Sequence, residues 1–242
     1  MNERSSQHWG ILGLAVALVI SSVILGGAIG NIKRGNDTIT VTGSARRPIR
    51  SNYIVWRGSV SSQQPTMQAA YQDVKRYTDR VKAYLKQHRV PENIVTLPSV
   101  ETDQIEEYTD RGRTGRILAY RLTQRFEVRS DQVDSIAALS RQAAELISDG
   151  VPLMSFPPEY LFTKLADVRV EMLAEATKDA QNRAKTIAES AGCKIGPVRN
   201  ARMGVFQITA RNSTEVSDYG IYDTSSLDKD ITAVVSLSFS VK

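Results

Sequence analysis

Glu101 and Asp103 are the residues of this 242-residue chain whose spacing is best suited to chemistry. They alternate within a segment that predicts a strand, so both side chains point to one face, about 7 Å apart. Carboxylates placed in this way can act as a general acid and base, or bind a hard cation such as Ca²⁺. The alternative, which we favour, is a solvated strand face opposite Arg111, Arg113 and Arg116 of the adjoining hairpin.

A second acidic group lies in the polar segment 212–230. Its acids lack the fixed oxygen spacing of a calcium-binding loop, so we predict a mobile surface segment or a contact arm. The segment opens with the glycosylation sequon Asn212-Ser213-Thr214, which matters only in a eukaryotic secretory context. The acidic residues are Glu215, Asp218, Asp223, Asp228 and Asp230.

Cysteine and histidine are too scarce to build a metal site or a catalytic triad. The single cysteine, Cys193, follows a predicted helix, where we expect a small, half-buried residue rather than a reactive thiol. His8 lies in the N-terminal tail, and His88 lies near a helix end, where we expect a surface side chain. The sequence also lacks a phosphate-binding glycine loop and the Gly-x-Ser-x-Gly and His-Glu-x-x-His motifs. We therefore predict no catalytic residue, no metal ligand, no cofactor and no enzymatic activity.

The N-terminal part carries a long apolar segment, Ile11–Ile29, inside an uncharged stretch from Trp9 to Ile32. At about 1.5 Å per residue the segment spans close to 30 Å, which is the hydrocarbon thickness of a bilayer. Eleven of its residues are Leu, Ile or Val. Each of these favours insertion by about 0.3–0.6 kcal/mol. We predict a tail (1–10), a transmembrane signal anchor (11–30), a linker (31–37) and one domain (38–242).

Cleavage and orientation of this segment stay open. A cleaved signal peptide is the alternative to the anchor, with Ala28-Ile29-Gly30 as its small-x-small cleavage site. The apolar run is longer than a typical signal core, which favours the anchor. The positive-inside rule weighs Arg4 and the α-amine against Lys33 and Arg34, and the count slightly favours a domain in the cytoplasm.

The remaining chain predicts an α+β fold with antiparallel sheets and about three helices packed on one face. Hydrophobic residues make up 41% of the chain and charged residues 24%, which excludes wholesale disorder. In Leu118–Val128 apolar and polar side chains alternate, so one strand face is buried and one is wet. Residues 44–50, with Arg46, Arg47 and Pro48, predict a turn. Strands are predicted at 39–42, 54–60, 94–108 with an interruption at Pro98, 118–128, 151–162 at a sheet edge, 205–210 and 231–241.

Three helices are predicted from apolar residues at three- and four-residue spacing, with capping residues at their ends. The segments, with their predicted inner residues, are Thr66–His88 (Val74, Val81, Leu85), Ser130–Gly150 (Val133, Ile136, Ala143, Ile147) and Lys164–Ala191 (Met172, Ala176, Ala180, Ala184, Ile187). The net charge of +5 is spread along the chain, and no basic helix or aromatic–basic strand motif occurs. We therefore expect no nucleic-acid partner.

Six short strings, in this order, resemble the SIMPL-domain family, which includes bacterial periplasmic immunogenic proteins. Each string is weak alone, but the ordered set is specific and extends from about Ile39 to Val241. One departure follows Pro48, where the family usually has an acidic residue and this chain has Ile49 and Arg50. The strings are Ile39–Gly43, Val90 with Ile94–Thr96, Tyr120–Val128 followed by Asp131, Ala188–Gly192, Gly196–Val198 and Ala233–Phe239.

The resemblance implies an exported or envelope location, no established catalytic residues and self-assembly into ring-like oligomers. In some members it implies a link to oxidative-stress defence. We therefore expect a single-pass inner-membrane protein, anchored by Ile11–Ile29, whose domain lies in the periplasm or outside the cell. Its expected partners are copies of itself and other envelope proteins. The alternatives are a protein secreted after signal cleavage, a small-ligand or cation-binding module that uses Glu101, Asp103 and 212–230, and a hydrolase with an unfamiliar site.

Overall fold

The computed structural model describes residues 18–22, 37–110 and 112–241. Within these residues, no helix has the length and apolar character needed to cross a membrane. Of the predicted anchor, only the helical residues Leu18–Ser22 are described. The remainder of Ile11–Ile29, together with His8 and Arg111, lies outside the described residues.

After Asp37 the strands come in runs of two to four separated by helices, and most strand pairs are antiparallel, so the fold belongs to the α+β class. The strands are β1 (Thr38–Arg50), β2 (Tyr53–Gln64), β3 (Val95–Thr96), β4 (Glu101–Thr109), β5 (Gly112–Ser130), β6 (Leu153–Ser155), β7 (Glu159–Leu161), β8 (Ile195–Met203), β9 (Gln207–Ala210), β10 (Ile221–Tyr222) and β11 (Asp228–Val241). The helices are α1 (Met67–Gln87), α2 (Val133–Gln142), α3 (Glu145–Ser148) and α4 (Leu165–Ser190), with a 3-10 turn at Glu92–Ile94.

Two compact units make up the described chain. The larger unit consists of Arg46–Val170 and Phe206–Thr232, and the smaller unit is drawn from Met1–Ala45, Glu171–Val205 and Ala233–Lys242. The larger unit holds a six-stranded sheet in the order β3-β5-β2-β6, in which β4 also pairs with β5 and β7 with β2. A five-stranded sheet has the order β1-β11-β9-β10, and β8 also pairs with β11.

The core of the larger unit forms on one face of the six-stranded sheet. Trp56 of β2 and Phe126 of β5 meet edge to face, with ring centroids 5.2 Å apart. The indole Nε1 of Trp56 donates a hydrogen bond to Ser155 Oγ at 2.9 Å, so its polar group is satisfied. Helices α1, α2 and α3 cover this face, and each apolar side chain that they bury stabilises the fold by about 1.5–3 kcal/mol. Their buried residues include Val81, Leu85, Val133, Ile136 and Leu146.

Helix α1 begins as predicted, because Thr66 Oγ1 accepts a hydrogen bond from the Ala69 N–H at 3.3 Å. The second predicted helix differs from the expectation in three respects. It is interrupted after Gln142 and forms two helices, α2 and α3, so the described chain after Asp37 has four helices rather than three. Ser130 is the last residue of β5 rather than a helix cap, although its Oγ accepts a bond from the Gln132 N–H. Ile147, which was predicted to face inwards from this helix, is exposed.

Helix α4 carries the predicted small-residue stripe. Met172 and four alanines, at positions 176, 180, 184 and 188, are fully buried or nearly so. The prediction was wrong for Ile187, which is exposed, because the buried stripe continues at four-residue spacing through Ala188. Gly43 of β1 lies against this stripe: a Cβ there would come closer than 3.0 Å to the Ala176 carbonyl oxygen and to the Ala180 N and Cβ. The strand and the helix therefore meet backbone to backbone.

The turn predicted at residues 44–50 is wrong, because β1 continues through Arg50 with an alternating burial pattern. Pro48 has no N–H for a strand ladder, but β1 is the terminal strand of its sheet order and Pro48 is exposed. Proline is tolerated at such an edge. A second correction concerns direction: β9 and β10 pair in parallel, so the five-stranded sheet is mixed. The pairings of the six-stranded sheet are antiparallel, as predicted. The strands predicted around Pro98 and Pro157 are confirmed as β3 with β4 and as the edge strands β6 and β7.

Asp230 of β11 joins two distant parts of the larger unit. Its Oδ2 accepts hydrogen bonds from Arg46 Nη2 at 2.6 Å and from the Asn212 N–H at 3.0 Å. The Asp230 side chain is only 8% exposed. Burial acts to raise the pKa of the Asp230 carboxyl, but the bonds from Asn212 and Arg46 outweigh this effect and the pKa lies below its ordinary value.

We expect Gly43→Ala to lower the free energy of unfolding by about 1–3 kcal/mol, because overpacking a close contact costs this much. Ala180→Gly should not restore stability, since two of the three atoms that meet the new methyl group belong to the helix backbone. Thr42→Ala, at an exposed neighbouring position, is the control and should cost less than about 1 kcal/mol. Urea unfolding followed by circular dichroism measures these differences, and an unchanged stability of Gly43→Ala would contradict the contact.

We expect Asp230→Asn to lower the free energy of unfolding at pH 7 by about 1.5–3 kcal/mol, because it weakens hydrogen bonds to a charged group. The pKa of Asp230 in the folded protein is lowered from its ordinary value of 3.8. The ionised carboxylate therefore contributes its full stabilisation of the fold above that ordinary pKa, and the stabilisation is lost as the pH falls through the lowered pKa. The difference between wild type and variant should therefore shrink in acid. Asp228→Asn, on the same strand but 47% exposed, is the matched control. Urea unfolding across a pH series measures the effect, and a pH-independent difference would be the contrary result.

Candidate functional site

The outward face of β2 and β5 forms the floor of a groove of about 1280 Å³ in the larger unit. The two strands are antiparallel, and their outward residues lie opposite one another in register. Because side chains alternate along a strand, these residues point away from the core that contains Trp56. The cross-strand pairs are Arg57 with Glu127, Ser59 with Arg125, Ser61 with Thr123 and Gln63 with Arg121.

Two walls border this floor. On one side β4 contributes Glu101 and Asp103 beside Pro98. On the other side the segment around β6 contributes Met154 and Phe156, which are both exposed. The groove therefore has a polar floor, one acidic wall and one apolar wall.

Ion pairs bind most of the charges in the groove to one another. Arg57 contacts Glu127 and Glu159, each at 2.6 Å. The pKa of Glu127 is lowered, and the largest cause is the hydrogen bond that its carboxylate accepts from Arg129. Burial acts to raise this pKa, and the bond from Arg57 lowers it further. Glu127 therefore stays ionised near neutral pH, and the arginines around it are neutralised rather than free to bind an anion.

The two carboxylates predicted as a candidate pair do lie on the groove wall. Glu101 pairs with Arg125 at 3.0 Å, and Asp103 lies opposite Arg121 in the β4–β5 ladder. The solvated, arginine-facing strand is therefore confirmed for Glu101. Of the predicted partners, Arg116 pairs with Glu107 of β4 at 3.7 Å rather than with Glu101 or Asp103. Arg113 lies opposite Tyr108, and Arg111 is outside the described residues.

The groove lining contains hydroxyl groups but no imidazole or thiol. Ser59, Ser61 and Thr123 thus have no histidine beside them among the described lining residues, and histidine is the proton acceptor that most often activates a hydroxyl nucleophile. Among the residues that the structure describes, no three His, Cys, Asp or Glu side chains are grouped closely enough to hold a metal ion. The arrangement is suited to hydrogen bonding and ion pairing with a polar surface.

The other candidates from the sequence lie elsewhere. His88 follows α1 as an exposed residue, with its ring 4.6 Å from that of Tyr84, as expected for a surface histidine at a helix end. Cys193 is half-buried, as predicted, and its Sγ contacts the Ala188 carbonyl oxygen at 3.3 Å. Neither side chain lines the groove.

The acidic segment 212–230 is more structured than predicted. It contains β10 and the first residues of β11, and Asp230 is buried. Asp223 accepts hydrogen bonds from the Ser225 N–H and Oγ, so these acids hold the segment in place. Val216 and Tyr219 are highly exposed, which leaves the first half of the segment as the accessible part.

Lys229 is a buried cation that the sequence reasoning missed. Its Nζ donates to the carbonyl oxygens of Tyr160 (2.6 Å) and Asp223, and burial lowers its pKa. The Arg57–Glu127–Glu159 cluster was also missed. The only available signal was that Arg57 and Glu127 occupy outward positions of strands in which buried and exposed side chains alternate. This pattern predicts that both residues lie on the surface, but it does not predict that they contact each other.

Comparisons with known proteins add the following. No curated protein matches the chain. A hydrolase from Listeria innocua is 13% identical, with 81% of this chain and 91% of that chain covered and a TM-score of 0.22. An uncharacterised conserved protein from the same organism is 12% identical, with 81% and 92% covered and a TM-score of 0.21. An amidase of the hydantoinase/carbamoylase family from Burkholderia vietnamiensis is 14% identical, with 53% and 32% covered and a TM-score of 0.19.

A family model matches residues 39–239, which is nearly the whole chain after the apolar segment. The match covers both compact units and agrees with the ordered strings found in the sequence. The chain therefore belongs to the SIMPL family, which is described as a protein of unknown function.

Proposed function

We propose that this SIMPL-family protein is anchored in the inner membrane, faces the periplasm or the exterior, and assembles with copies of itself without catalysing a reaction. The support for the anchor is the apolar segment Ile11–Ile29. Its eleven Leu, Ile and Val residues together favour insertion by about 3–7 kcal/mol, and no charge opposes them. Location outside the cytoplasm rests on the family resemblance, since the flanking charges alone slightly favour the opposite orientation.

The observation that carries self-assembly is the uncovered end of the β4–β5 hairpin. Tyr108 is 78% exposed, and every residue of β5 from Arg113 to Leu118 is exposed, including the apolar Ile117 and Leu118. Neither face of this part of the hairpin is therefore covered within the described chain. Exposed apolar side chains on a projecting hairpin are typical of a protein contact surface.

The absence of catalysis is supported by the chemistry of the groove. Most of its charged side chains form ion pairs with one another, although Asp103 and Arg121 do not, and its described lining contains no histidine beside the hydroxyl groups. Glu101 is held by Arg125, which weakens the alternative of a cation-binding module that uses Glu101 and Asp103. The link to oxidative-stress defence found in some family members stays a prediction for this chain.

The anchor is tested by placing two charges within it. Val19→Arg combined with Ile20→Arg should release the full-length protein from the membrane, because two central arginines cost about 5–7 kcal/mol, which exceeds what the remaining apolar residues supply. Val19→Leu combined with Ile20→Leu is the control and should stay bound. Carbonate extraction of membranes separates the outcomes. Recovery of wild type in the soluble fraction would overturn the anchor.

Orientation is tested by protease shaving of spheroplasts that express the full chain with a C-terminal epitope. We expect the epitope to be lost before lysis, while a cytosolic marker survives. Protection of the epitope until lysis would place the domain in the cytoplasm and contradict the proposed location, although the anchor itself would stand.

Self-assembly is tested by light scattering of the full chain in a mild detergent. We expect a discrete oligomer that Tyr108→Ser combined with Leu118→Ser shifts towards the monomer, because the exposed apolar contacts are lost. Tyr71→Ser combined with Ile147→Ser removes equally exposed apolar side chains from helices and is the control. A wild type that stays monomeric at high concentration would contradict the proposal.

A further inference from the structure

Seven strands in the described chain have a partner strand on one side only, and β4 and β8 are two of them; the others are β1, β3, β6, β7 and β10. β4 pairs only with β5, and β8 pairs only with the end of β11. The free side of such a strand presents N–H and C=O groups that can extend a sheet into another molecule. Each of these edges is therefore a possible site for strand addition.

Both edge strands are also exposed on both faces. In β4 the first four residues, Glu101–Gln104, are all exposed, and in β8 every residue from Pro197 to Met203 is exposed. A strand packed against a core shows alternating burial, as β5 does over Leu122–Ser130. No other part of the described chain therefore covers the faces of these segments, and the pairing leaves one edge of each strand free.

The two edges carry opposite charges that are not paired internally. On β4, Asp103 and Glu106 form no side-chain ion pair or hydrogen bond within the described residues, unlike their neighbours Glu101 and Glu107. On β8, Arg199 and Arg202 likewise have no side-chain partner there. The acidic edge and the basic edge thus each hold two free charges.

The spacing of these charges matches. The acids and the arginines are each three residues apart, so an antiparallel pairing places Asp103 opposite Arg202 and Glu106 opposite Arg199. The register of β8 with β11 skips Arg199 between Asn200 and Val198, so β8 is irregular at this point. The two ion pairs are therefore matched by position along the edges rather than by strand face. A parallel pairing also matches the charges, but the antiparallel ladder is the more stable of the two.

We propose that the acidic edge β4 of one copy pairs antiparallel with the basic edge β8 of the next copy, and this rests on the self-assembly proposed above. Two different surfaces meet in this contact, so a pair of copies keeps one free β4 edge and one free β8 edge. Repetition closes a ring or extends a filament. The ladder ends where Pro197, which has no N–H, falls opposite Tyr108, and this limits the contact to a short segment.

Charge reversal in the full-length protein, solubilised in a mild detergent, tests the pairing. Asp103→Arg with Glu106→Arg, and separately Arg199→Glu with Arg202→Glu, should each raise the dissociation constant of the oligomer at least tenfold by light scattering. All four substitutions together should restore assembly, because the charges again match. Asp79→Arg with Glu92→Arg makes the same charge change at exposed positions elsewhere and should have no effect.

The register is tested by cysteine cross-linking in a Cys193→Ser background. Gln104→Cys in one copy and Ala201→Cys in a second, differently tagged copy lie opposite each other in the proposed ladder and should form a disulfide on mild oxidation. Asn200→Cys is the control for a shifted or parallel register. A disulfide with Asn200→Cys but not Ala201→Cys would overturn the antiparallel register.

The outcomes separate this contact from self-assembly in general. An oligomer that survives both charge-reversed pairs and gives no disulfide overturns the edge pairing while self-assembly stands. Monomers in both reversed variants that the fourfold variant does not restore also overturn the pairing. A monomeric wild type overturns both proposals.

Discussion

The antiparallel ladder between β2 and β5 is the constraint on which the rest of the larger unit depends. It runs without interruption from Ile54↔Ser130 to Gln64↔Tyr120. Since side chains alternate, this one register places Trp56 in the core and Arg57 on the outer face. A slip of one residue would exchange the two faces of a strand. The buried core under the helices and the charged groove on the opposite side are therefore consequences of the same pairing.

The parts of the fold that were predicted are those in which one strong periodicity decides the structure. The alternation in Leu118–Val128 and the four-residue alanine spacing of α4 each predict an element and its buried face. The turn predicted at residues 44–50 failed because Arg47 and Pro48 are local turn signals, whereas the outcome depends on β1 lying at the end of its sheet. Local propensity cannot show that position, because it is a tertiary property.

The candidate site was predictable in kind but not in its contacts. The sequence shows that Glu101 belongs to a wet strand facing arginines. Which arginine it meets depends on the register of the hairpin, and that register shifts after Ile105 and again after Glu106. Lys229 is a stronger case, because its acceptor, the carbonyl of Tyr160, is 69 residues away. Contacts of this kind follow from the assembled sheets and have no signature in a short stretch of sequence.

The charges on the free edges of β4 and β8 also disfavour certain assemblies of this protein. Pairing of β4 with a second β4 would bring Asp103 and Glu106 towards acids, and pairing of β8 with itself would bring Arg199 towards arginines. Like charges opposite one another destabilise a strand pair. Each of these two edges therefore resists the symmetric contact that would close a two-fold dimer through it, and between β4 and β8 the unlike combination is the favoured one. Charges that protect free edges from unspecific aggregation thus also restrict which ordered contact can form.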